Sequence, residues 1–247
     1  MKRVLAFDFG ASSGRAILAE FHDGALTYRE VHRFENCPRE SDGFFRWDFQ
    51  DLMDNVRLGI KKAGDFDSIG FDTWGVDFGL LDEKGQLLGD PVHYRDSRTT
   101  GMVEKARELL PESALYQATG NQIMAINTLF QLLAVQEKQP EIWKKARRLL
   151  FMPDLFAHAL CGSDCCETTI ASTSQMLNPK TAGWSQEILD TFSIPETHFA
   201  PLVKSGSIVG EYQGAKVIAV AGHDTQCASA AMPAPEKGAA FLSCGTW

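Results

Sequence analysis

The chain has 247 residues, 44% of them hydrophobic, which is enough for a substantial core in one large domain or two small ones. Its 24 Lys+Arg stand against 32 Asp+Glu for a net charge of −8, with no Lys/Arg-rich block, which argues against nucleic acid or anionic membrane as a partner. Asp8 interrupts the first apolar run too early for a signal-peptide core, and no later apolar stretch is long enough to span a bilayer, so a soluble cytoplasmic protein is expected.

Three β-like runs come first, at 3–9, 14–21 and 25–34, the last two joined by the hairpin signal Asp23-Gly24. An antiparallel meander should open the fold. Phe49, Leu52, Met53, Val56 and Ile60 then fall on one face of a helix that Asp48 is placed to cap. Residues 68–82 read as one further apolar strand, turned back by 82–88 towards 93–98. From Met102 to about Leu150 the pattern is helical with interruptions, and 149–162 reads as a short buried strand running into a helix. Residues 217–232 repeat that strand-to-helix theme.

Six cysteines make a poor disulfide framework here, and Cys161, Cys165 and Cys166 lack the second paired spacing that a structural zinc site wants. Reduced, structural thiols are expected.

Three segments carry chemistry. In 4–21, Asp8 ends an apolar strand, where side chains of open α/β sheets reach a ligand crevice. The tiny residues that follow, Ala11, Ser12, Ser13 and Gly14, would let a phosphate chain approach the backbone, and Arg15 adds a fixed positive charge. Asp8 would repel a bare phosphate, so a magnesium ion between the two, directly or through water, makes sense of it. A Gly/Ser-rich hairpin turn is the plainer reading. In 70–81, Asp72, Trp74 and Asp77 surround Gly75, a combination of carboxylates, aromatic face and open backbone that suits sugars; solvent-facing carboxylates beside a core Trp are the alternative. In 217–231 an apolar strand ends at Gly222, and His223-Asp224-Thr225 opens a helix rich in small residues. Asp224 could accept the proton of an attacking hydroxyl, or simply cap the helix. His223 and Cys227, four apart, could alternatively pair as base and thiol nucleophile, although no oxyanion-hole motif accompanies them.

Taken together, "DFGASSGR", "DTWGVDFGLLD", "YRDSR", "MPD", "GHDT" and "SCGTW" resemble the FGGY family of carbohydrate kinases, in order from Arg3 to Trp247, and within it the branch that phosphorylates L-rhamnulose. The resemblance implies an α/β fold of ribonuclease H-like type (the actin/hexokinase/Hsp70 superfamily), a mixed five-stranded sheet flanked by helices. It implies ATP and Mg2+ as cofactors, with residues 11–15 as the first phosphate turn, Asp8 near the metal and Thr246 as a second nucleotide contact. Gly75, His223, Asp224 and Thr225 match positions that hold the ketose, joined on the residue reading by Trp74 and Asp77, and Asp224 matches the general base. Cys244 stands where the family has Ser. The family's chains are about twice this long, so residues 1–247 are expected to be the sugar-binding domain alone, lacking the adenosine-binding domain and inactive by itself.

Overall fold

The fold follows from alternation in the first strand. In β1 (Lys2–Phe9), Leu5, Phe7 and Phe9 are fully buried while the intervening side chains face the other side of the sheet. In this computed structural model, which describes residues 1–233, 238 and 240–243, β1 pairs antiparallel with β2 (Ser13–His22), and β2 with β3 (Ala25–Glu35). The meander is therefore present, turned at Asp23 and Gly24, both at positive φ. A small hairpin, β4 (Arg39–Ser41) and β5 (Phe44–Arg46), leads into α1 (Phe49–Ala63). Asp48 caps that helix by accepting from the Asp51 N–H at 3.1 Å. Its buried face, Leu52, Met53, Val56, Gly59 and Ala63, lies under the meander, where a Cβ on Gly59 would stand 2.7 Å from the Phe7 ring.

β6 (Ser68–Thr73) joins β1 in parallel. The expected single strand over 68–82 breaks there: β7 (Phe78–Leu81) leaves the main sheet to pair antiparallel with β8 (Arg148–Phe151). Between them lie α2 (Met102–Leu109), α3 (Glu112–Thr119), α4 (Thr128–Lys138) and α5 (Pro140–Lys145). α6 (Met152–Cys161) follows β8 directly, and its Phe156 stacks on Phe9 with ring centroids 4.3 Å apart. The core thus fills the space between the sheet and both α1 and α6.

Short elements follow: β9 (Cys166–Glu167), α7 (Thr168–Ala171), the β10 (Leu177–Asn178) and β11 (Gly183–Trp184) pair, α8 (Gln186–Thr191), and β12 (Leu202–Val203), which runs parallel to β9. β13 (Ser207–Tyr212) and β14 (Ala215–Ala219) form a hairpin turned by Gln213 and Gly214, both at positive φ, and α9 (Asp224–Ala231) ends the described helices. The main sheet runs β13-β14-β6-β1-β2-β3, six strands rather than the five expected. The added strand is β13, an edge strand whose partner is its own sequence neighbour.

Candidate active site

Three parallel strands, β1, β6 and β14, end together, and main-chain hydrogen bonds tie those ends. The Thr73 N–H donates to the Gly222 carbonyl at 2.9 Å and the Trp74 N–H to the Phe9 carbonyl at 3.1 Å. Side chains leaving these ends therefore share one crevice, the place where open α/β sheets bind ligands.

Asp8 and Asp72 are register partners on β1 and β6, and Asp224 opens α9 nearby. Burial, and then the charges of Asp8 and Asp224, push the Asp72 carboxyl up to about 8. Arg15 offsets part of this negative charge: its Nε and Nη2 lie 2.8 and 2.6 Å from Asp8 Oδ2. The oxygen-only set suits a hard divalent cation. Among the described residues, however, no three His, Cys, Asp or Glu converge closely enough to hold an ion by themselves. A magnesium ion here would need phosphate oxygens or water to complete its coordination.

The turn between β1 and β2 is closed by the Gly10 N–H donating to the Ser13 carbonyl at 2.9 Å, and it leaves Ser12 exposed and Ala11 half-buried. Ser13 and Gly14 already belong to β2. Gly14 lies opposite Phe9 and Phe34, and a Cβ on it would stand 2.2 Å from the Phe34 ring. Aromatic packing across the strands is thus one reason for a glycine at position 14.

The break in the 68–82 run builds the next wall. Val76 sits at φ +67° with the Asp77 N–H donating to the Gly75 carbonyl at 2.9 Å, a γ-turn hydrogen bond around a β-branched residue in a costly conformation. Three neighbours hold it there: Thr173 Oγ1 accepts from the Val76 N–H at 3.0 Å, and Thr128 Oγ1 and Gln131 Nε2 donate to its carbonyl at 2.7 and 3.3 Å.

Beneath the turn, Asp77 is 0% exposed and Trp74 1% exposed. Asp77 Oδ2 accepts from Trp47 Nε1 at 2.6 Å, Trp74 Nε1 at 3.0 Å and the Tyr94 N–H at 3.1 Å, while Oδ1 accepts from Gln131 Nε2 at 2.9 Å. Burial raises its pKa to about 6, and the donors from Gln131, Trp47 and Trp74 keep it from rising further. Neither residue lines the cavity above. The direct sugar contacts expected of Trp74 and Asp77 are corrected accordingly: both are buried support under Gly75 and Val76, because one carboxylate is consumed by four donors.

That cavity measures about 290 Å³ and is lined by Gly75, Val76, Asn121, Gln122, Met124, Ile126, Asn127, Ser172, Thr173, His223 and Gln226. It brings Gly75 and His223 together as expected: a Cβ on Gly75 would meet Thr173 Cγ2 at 3.2 Å and the His223 ring at 3.4 Å. Asn121, Thr173 and Gln226 went unrecognised because they come from separate segments and match no compact motif. Asp72 is legible in the sequence only as a carboxylate near Gly75, and the pairing of β1 with β6 sets it beside Asp8.

His223, not Asp224, is the N-cap residue of α9. Asp224 is the first residue of the helix, and its Oδ1 accepts from the Thr225 N–H at 2.5 Å and Thr225 Oγ1 at 3.1 Å, with His223 Nε2 3.3 Å away. Burial lowers the His223 pKa against the opposing pull of Asp224, so the ring is neutral at pH 7. The side chain of Asp224 keeps 32% exposure, open to a substrate. Cys227 does not serve as a nucleophile beside His223: burial and the surrounding carboxylates push its thiol up to about 12. Cys161, Cys165 and Cys166 are free, with their pKa values raised by burial. Thr246 and Cys244 lie outside the described residues.

Residues 3–229 match the FGGY family of carbohydrate kinases, N-terminal domain. The chain belongs to this family. It is 41% identical over 258 aligned positions to a rhamnulokinase of Klebsiella pneumoniae (strain 342), with all of this chain and 53% of that protein covered. Among solved structures it resembles a xylulose kinase from Lactobacillus acidophilus (TM-score 0.80, 19% identity, 91% of this chain and 48% of that one). It also resembles a glycerol kinase from Plasmodium falciparum (TM-score 0.75, 14% identity, 89% and 48%). These likenesses establish the α/β kinase fold, and the chain spans about half the length of the proteins it matches.

Proposed function

We propose that this chain is the sugar-binding half of an ATP-dependent ketose kinase, with L-rhamnulose phosphorylated at its 1-hydroxyl. The observation that carries the reading is one juxtaposition: a cavity walled by Gly75, Thr173 and His223 lies at the strand ends where Asp224, next to His223 in the chain, shares the electrostatic surroundings of Asp72 with Asp8, itself paired with Arg15. The 41% identity to a rhamnulokinase supports the choice of sugar within the family.

In this reading the ketose lies in the cavity with its 1-hydroxyl towards Asp224, which orients that hydroxyl and takes its proton. The neutral His223 ring holds the carboxylate from one side and Thr225 from the other. Residues 11–15 face the phosphates, and a magnesium ion near Asp8 would supply charge neutralisation when bound. Thr246 is proposed as a further nucleotide contact.

The test is Asp224→Asn in the complete kinase. Ketose binding by calorimetry should persist while kcat falls about 10²–10⁴-fold, the range of a positioned general base. Near-normal kcat would reduce Asp224 to a helix residue, and a ketose panel separates rhamnulose from other ketoses and polyols.

A further inference from the structure

The "MPD" motif and the buried acid that follows it have no part in the chemistry above. Asp154, in the first turn of α6, is 4% exposed and its Oδ1 accepts from the Glu167 N–H at 3.1 Å. Glu167 itself is 1% exposed. Its Oε2 accepts from the Thr169 N–H at 2.9 Å, Thr169 Oγ1 at 2.6 Å, the Ile170 N–H at 3.1 Å and the Gly222 N–H at 3.0 Å, and its Oε1 accepts from Ser205 Oγ at 2.6 Å.

Three of those donors, the Thr169 N–H and hydroxyl and the Ile170 N–H, belong to the helix that Glu167 caps; the Gly222 N–H belongs to the loop presenting His223 and Asp224. From α7 the connection continues to the cavity: Thr173 Oγ1 donates to the Ile170 carbonyl at 2.7 Å and accepts from the Val76 N–H. Packing marks the same junction independently. A Cβ on Gly222 would stand 2.9 Å from Pro153 Cγ and 3.2 Å from Ile170 Cβ, so the loop is pressed against α6 and α7 where Glu167 holds it. We propose that Glu167 is a positioning residue that sets the Gly222–Asp224 loop against the Thr173–Val76 wall of the sugar cavity.

The proposal rests on the reading that Asp224 and this cavity serve the ketose. A helix cap alone does not need Glu, since Asp caps as well or better. The additional methylene is what spans from β9 to Gly222. A shift of about 1 Å in a reacting group can cost up to about 10²-fold in rate, so losing this tether reaches kcat through Asp224.

Glu167→Asp in the complete kinase separates the two roles, because it keeps a cap for residues 169 and 170 and shortens the reach to Gly222. Expected are a kcat lower by about 10-fold or more, an ATP KM within about 2-fold of the parent, and Gly222 amide exchange faster by about 10-fold. Glu167→Gln, which keeps the length and an acceptor oxygen, should retain kcat within about 3-fold. Should Glu167→Asp fail to fold, Gly222→Ala carries the test by pushing the same loop off Pro153, with the same kcat loss expected. Parental kcat in Glu167→Asp, or a kcat loss without faster Gly222 exchange, would overturn the proposal; in Gly222→Ala, parental kcat would do so. Asp224→Asn run in parallel keeps the outcomes apart: normal turnover there removes the assignment of Asp224, while Gly222 exchange still reads the tether.

Discussion

Gly75 shows how a single residue defines the site. Its φ is not in the positive region, so the backbone does not demand glycine; the space does, because Thr173 and His223 close in from both sides. Gly75→Val should place methyl groups between them and raise the ketose KM by about 10-fold or more while leaving nucleotide affinity nearly unchanged. Steady-state kinetics on both substrates checks this, and a selective loss of ATP binding would contradict the assignment. At Gly14 too the space demands glycine, because a Cβ would stand 2.2 Å from the Phe34 ring.

Among elements, the decisive one is the break between β6 and β7. Hydrophobicity alone reads 68–82 as one strand, since Phe71, Trp74, Val76 and Phe78 are all apolar and all buried. Val76 at positive φ overrides that pattern, and beyond its own turn it is held by residues about 50 and 100 positions away, Thr128, Gln131 and Thr173. Thr173→Val keeps the shape but leaves the Val76 N–H without its acceptor. A loss of about 1–3 kcal/mol in stability is expected, together with a higher ketose KM, measurable by urea unfolding and kinetics. Unchanged values would show that Thr128 and Gln131 suffice.

Stability of the whole molecule carries an acid-side signature from His93. The ring is 4% exposed, stacks on Trp47 at 4.0 Å, and its Nδ1 accepts from the Arg95 N–H at 2.9 Å, which requires the neutral form. Burial, reinforced by Arg95, lowers its pKa to about 4 from the ordinary 6.5. Between those values the unfolded chain binds more protons than the folded one, so stability present above pH 6.5 is lost as pH falls towards 4, up to about 3 kcal/mol. His93→Phe keeps the stacking and should flatten that slope when urea midpoints at pH 7 and 4.5 are compared. An unchanged slope would place the acid sensitivity elsewhere.

The sequence by itself determined the meander, the capped α1, the strand-to-helix steps at 149–162 and 217–231, and the pairing of Asp8 with a small-residue turn. These are local: alternation, helical periodicity and turn chemistry act within a few residues. Tertiary structure decided that Asp72 lies beside Asp8, that Asp77 is spent on four donors under the cavity floor, that Asn121, Thr173 and Gln226 form the wall, and that Glu167 reaches Gly222. Each depends on side chains tens of residues apart meeting at the strand ends, and burial and hydrogen-bond saturation there are set by packing that no local pattern encodes.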